Sequence, residues 1–124
     1  AAADAQEREL MSGLMQALLS KDLLAALEAA DAVGSLPSRE KAKSFCKFAA
    51  DRLRYIFLLQ QQMDVLAPLP EDELEELRLW ASKCRKSFPR KGAEAFSRAQ
   101  TMIGRNVNVK IVFTELAGSL FLAI

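Results

Sequence analysis

The chain contains no histidine. That removes the commonest general base, the commonest metal ligand and every Ser–His or Cys–His nucleophile pair. Cysteine is scarce: Cys46 and Cys84 stand far apart and make no CxxC pair. Such spacing suits neither a zinc site nor a disulfide framework; it suits two buried thiols in a reducing compartment. Glycine and proline number only 5 and 4, too few for a loop-rich fold. No GxxxxGK[ST] segment is present, so the usual phosphate cradle for ATP is missing, and Gly104-Arg105-Asn106 is no glycine-rich loop. The most apolar stretch, Ile111 to Ile124, is too short to span a bilayer and is interrupted by Glu115. The opening AAADAQERE is polar and acidic and holds no signal core. These absences lead us to expect a cytoplasmic chain without catalytic centre, cofactor, metal or membrane segment.

What remains is rich in helix formers. At 124 residues the chain is long enough for one domain with a real core. Hydrophobic residues make up 51% and charged residues 27%, an ordinary globular balance. Leu, Ala, Glu, Lys, Arg and Gln dominate, and all favour helix. Apolar residues recur at helical spacing almost everywhere.

The periodicity predicts a first helix from Asp4 to Leu19, with Leu10, Leu14, Met15 and Leu18 on one face. Ser20 reads as the N-cap of a second helix, with Lys21 and Asp22 in its first turn. Its apolar positions are Leu23, Leu24, Leu27, Ala30 and Val33, and Gly34 stops it. Pro37 marks a boundary, and Ser38 caps a long third helix from Arg39 to Met63. There Ala42, Phe45, Ala49, Leu53, Ile56 and Phe57 form the buried stripe, while Lys43, Lys47, Asp51 and Arg54 face water. Ala67-Pro68-Leu69-Pro70 is a linker into a fourth helix, whose inner face is Leu74, Leu77, Trp80, Ala81 and Cys84. Phe88-Pro89 breaks the chain again before a fifth helix from Lys91 to Arg105, with Ala95, Phe96, Ala99, Met102 and Ile103 inward. Asn108 caps the last helix, Val109 to Ile124. The β-branched run Val107 to Thr114 suggests a strand, but its apolar residues keep helical spacing and no partner strand exists. The expected fold is therefore all-α, a compact bundle of about five to six helices with short connections.

Charge is uneven although the net value is only +1. Glu71 to Glu76 is acidic and Lys83 to Lys91 is basic. The fourth helix's dipole accounts for both, with carboxylates at its start and cations at its end. Asp72 and Glu76 lie four apart and could form an acid–base pair, but a solvated helix start explains them better. The last helix is apolar on most sides. Either it is the centre of the bundle, or one side packs inward while another meets a neighbouring subunit. Ala117, Gly118 and Ala123 would allow a partner helix to approach closely.

Two segments carry a resemblance. Ser38-Arg39-Glu40-Lys41-Ala42-Lys43-Ser44-Phe45 resembles the REKxKxF segment that opens the long collar helix of bacterial clamp-loader δ′ subunits of the Bacteroidetes type, and Arg52 with Tyr55-Ile56-Phe57 continues it. Arg105-Asn106-Val107-Asn108-Val109-Lys110-Ile111-Val112-Phe113-Thr114-Glu115-Leu116 resembles the RNxNxKIxFxxL segment of their last collar helix. Val109 departs from the pattern, since many of those proteins carry Pro there, and residues 64–91 match less specifically. The resemblance implies a clamp-loader collar-like domain following two AAA+ modules on a longer chain, part of DNA polymerase III. It implies partners among the γ/τ- and δ-type subunits, with no direct nucleic-acid contact. An interface is then expected at Arg105, Asn106, Lys110, Phe113, Ala117 and Phe121. Two other readings stand beside it: a free-standing helical adaptor or dimer, and a nucleic-acid-binding domain using Lys83 to Lys91.

Overall fold

The computed structural model describes residues 2–63 and 67–124. Among the described residues there are six helices and no strand: α1 (Ala2–Leu19), α2 (Leu23–Gly34), α3 (Arg39–Gln60), α4 (Glu71–Lys83), α5 (Phe88–Gly104) and α6 (Val109–Ala123). The all-α expectation holds, and the 107–114 run turns into the start of α6.

Local chemistry explains most helix ends. Ser38 Oγ accepts from the Lys41 amide at 3.1 Å, and Asn108 Oδ1 accepts from the Ile111 amide at 3.1 Å. Both satisfy an amide that has no partner inside its helix. Ser20 does not cap α2. Its hydroxyl instead donates back to the Gln16 carbonyl at 2.6 Å, and Asp22 is the cap, accepting from the Ala25 amide. Lys21 between them has φ 59°, the left-handed step that ends α1. Helix α3 stops at Gln60 rather than Met63. Gln62 takes φ 59°, and the Met63 amide reaches back to the Leu58 carbonyl at 2.9 Å, closing the helix. The expected break at Phe88-Pro89 is in fact the first turn of α5, where a proline needs no amide partner.

The core sits between α3 and α5, with α6 and α1 closing it. Phe45 stands edge-on to Phe96 and to Phe113, at 6.0 and 6.4 Å between ring centres. These three rings lock α3, α5 and α6 together. Gly92 lets α5 approach α3, because a Cβ there would lie 2.7 Å from Leu53 Cδ1. Gly34 does the same for α2 and α6. Its Cβ would lie 3.4 Å from the Lys110 Cα, so this glycine serves close approach and not a left-handed turn. Three expected core residues are outside: Phe57, Leu23 and Leu24 are exposed, while Ala26 and Cys46 take inner positions instead.

Ion pairs tie the outer helices on. Arg52 meets Glu73 at 2.6 Å, only 11% and 17% exposed, and lies over the Phe48 ring. Arg8 of α1 holds both Asp72 and Glu76 of α4, at 3.1 and 3.4 Å.

Candidate interaction surfaces

Several polar groups that looked chemical have structural work. The Asp72–Glu76 pair is clasped by Arg8, and Ser12 Oγ donates to Glu76 at 2.7 Å. The Arg8 hydrogen bond holds the Asp72 carboxyl below the usual carboxylate range, the opposite of what a proton donor near neutral pH requires. Burial pushes the Cys46 thiol up to about 12 and raises Cys84 as well, so neither is a poised nucleophile. Among the described residues no group of three His, Cys, Asp or Glu side chains is arranged to hold a metal. No helix of the described residues is long and apolar enough to cross a membrane.

The two segments that carry the resemblance meet in space. Arg39, the first residue of α3, donates to the carbonyls of Ile103 and Val107 at 3.1 and 2.9 Å. Those carbonyls flank the α5–α6 corner. Asn106 has φ 64° there, its amide bonds to Ile103, and the Val107 amide reaches the Met102 carbonyl at 3.1 Å. Asparagine tolerates this left-handed position better than most residues. Arg39 therefore braces the corner from another helix, a role invisible in the sequence because its acceptors lie more than sixty positions away.

The six expected interface residues separate into three groups. Phe113 and Ala117 are each 1% exposed and sit inside the chain's own core, so neither offers surface to another chain. Arg105 and Asn106 are exposed at the corner, and their backbone closes α5. Lys110 is exposed and pairs with Asp31 of α2 at 3.6 Å; Phe121 is half-buried.

The outward side of α6 belongs to other residues. Val112, Phe113, Leu116, Ala117 and Leu120 face inward. Ile111 and Leu122 point away, 63% and 83% exposed, with Glu115 and Gly118 on the same side. Nothing stands over Gly118 within 4 Å. Gly34 lies against Lys110, and α2 runs antiparallel to α6. That register brings the exposed Leu23 and Leu24 toward the level of Leu122. The sequence showed that α6 has too much apolar surface; only the packing shows which residues carry the excess.

A second surface lies between α3 and α5. Helices α3 and α5 leave an open groove of about 630 Å³ lined by Phe57, Leu58, Pro89 and Ala93 together with Arg54, Arg90, Glu94 and Ser97. No protein-family model, curated protein or solved structure matches the chain.

Proposed function

We propose that the chain is an assembly domain of the clamp-loader collar type, from a δ′ subunit of DNA polymerase III. It joins its own subunit to γ/τ- and δ-type neighbours by helix-on-helix contact, and no bond is made or broken in it. The observation that carries this reading is the outward face of α6, where Ile111 and Leu122 stay in water although the helix is otherwise built for burial. Large apolar side chains left exposed along one side of a helix are what a covering chain would use. Leu23 and Leu24 of the neighbouring α2 are exposed as well. Two local features support the same reading. The REKxKxF-like and RNxNxKIxFxxL-like segments brace each other through Arg39, and Asn108 caps α6.

Two AAA+ modules are expected upstream on the natural chain. Sedimentation velocity separates this reading from a free-standing adaptor. The assembly reading expects a monomer that joins a larger species when γ/τ- and δ-type subunits are added. A tight homodimer that ignores those subunits would contradict it.

A further inference from the structure

Glycine in the middle of a helix weakens it, because the chain gives up conformational freedom and gains no side chain to pack. Two structural reasons normally justify it there, a positive φ or a close neighbour. Gly92 and Gly34 have close neighbours, Leu53 and Lys110. Gly118, in the middle of α6, has neither reason. No glycine among the described residues takes a positive φ, and a Cβ at Gly118 would meet nothing within 4 Å. Gly13 in mid-α1 and Gly104 at the end of α5 are equally open.

The surroundings separate Gly118 from Gly13. Ile111, Glu115, Gly118 and Leu122 follow one another at intervals of four, three and four residues, which places them along one side of α6. An alternation averaging about 3.5 residues is the seam along which a second helix packs. Ile111, Glu115 and Leu122 are exposed on this seam. A side chain from a facing helix enters a hole bounded by four residues. Gly118 borders two successive holes, one with Ile111, Thr114 and Glu115, the other with Glu115, Ser119 and Leu122. Its missing side chain therefore leaves a notch between two large apolar residues. Beside Gly13 the exposed residues are Glu9 and Gln16, both polar. Glu115 carries the one charge of the seam. Among the described residues it makes no ion pair, although Arg98 of α5 borders the same shallow patch.

We infer that Gly118 is the contact point of the α6 face. A helix of the neighbouring subunit lies along the seam from Ile111 to Leu122, seats a large apolar side chain over Gly118 and sets a lysine or arginine against Glu115. Resting on the assembly reading, this arrangement fixes where along α6 the partner helix lies. The distance between packed helices depends on the side chains at their contact, and a glycine allows the closest approach. A second copy of the same seam fits less well, because it brings two Glu115 carboxylates together with no cation between them.

The test compares thermal melts of the full 124-residue chain with its capture of reconstituted γ/τ- and δ-type subunits. Gly118→Ala is expected to raise the melting temperature by about 3–5 °C and yet to weaken capture about threefold or more. Gly118→Leu is expected to melt no lower than the parent and to weaken capture about tenfold or more. Gly13→Ala is expected to raise the melt as Gly118→Ala does and to leave capture unchanged. Glu115→Lys is expected to weaken capture about threefold or more. A packing role inside the chain would move stability down, not up. Equal capture by the parent, Gly118→Ala and Gly118→Leu overturns the inference; if Ile111→Asp with Leu122→Asp still loses capture in that assay, the assembly reading stands without it. A lower melt for Gly118→Ala, or a homodimer of the parent that Gly118→Leu disperses, overturns the inference as well. If Ile111→Asp with Leu122→Asp captures partners as the parent does, the reading and the inference fall together.

Discussion

Gly92 sits where α5 presses closest on α3. Alanine would add helix propensity of about 1 kcal/mol. Its methyl group would also drive into Leu53, which is fully buried, and overpacking of a tight core costs about 1–3 kcal/mol. The second effect is the larger. Gly92→Ala should therefore lower stability by about 1 kcal/mol in chemical denaturation. Gly13→Ala should raise it by about the same amount, because Gly13 is exposed in mid-helix with nothing within 4 Å. Cys46 gives a pH test. Burial raises its thiol from 9.0 to about 12, so the folded state disfavours the thiolate. Its contribution to stability is fully present below pH 9.0 and is lost as pH rises toward about 12. Denaturation curves across that window should fall more steeply for the parent chain than for Cys46→Ala. Capping by Ser38 and Asn108 was legible in the sequence, since acceptor and amide lie three positions apart. Asp22 displaced Ser20 because α1 first needed a left-handed step at Lys21, which moved the start of α2 onward.

Element boundaries decide what the charges mean. Reading α5 from Lys91 leaves Lys83 to Lys91 as a tail that complements the α4 dipole. The observed start at Phe88 places Arg90 and Lys91 on the wrong end of α5. The sequence pattern hides this, because Phe88-Pro89 looks like a break although proline fits a first helical turn. The exposure of Phe57 is equally hidden. Its spacing matches Leu53 and Ile56, and only the way α5 crosses α3 leaves it uncovered. Arg39 acts between elements. Replacing it with methionine keeps the stem but removes two hydrogen bonds to the α5–α6 corner. Arg39→Met should cost about 2 kcal/mol, since bonds from a charged donor contribute roughly 1.5–3 kcal/mol. Hydrogen exchange should show the Asn106 and Val107 amides losing protection before the rest of the bundle.

At the scale of the whole molecule, buried and exposed apolar side chains fall on different sides of the helices. The Phe45–Phe96–Phe113 cluster and the Arg8 and Arg52 pairs hold the six helices together. Ile111, Leu122 and Phe57 are exposed and lie outside that core. The all-α architecture was readable from apolar spacing, and so was the excess of apolar residues in α6. Which of those residues face outward was not, because the choice depends on where α2 and α5 pack against it. Phe113 and Ala117 went inward, while Ile111 and Leu122 stayed out. The assembly account therefore rests on Ile111 and Leu122, and one measurement tests it most directly. Reconstituted γ/τ- and δ-type subunits from the same genome are captured by the tagged parent chain and by a chain carrying Ile111→Asp and Leu122→Asp. The account predicts that the doubly changed chain keeps its thermal melt within a few degrees and loses about tenfold or more of the captured partner. Equal recovery of partners by both chains would contradict it.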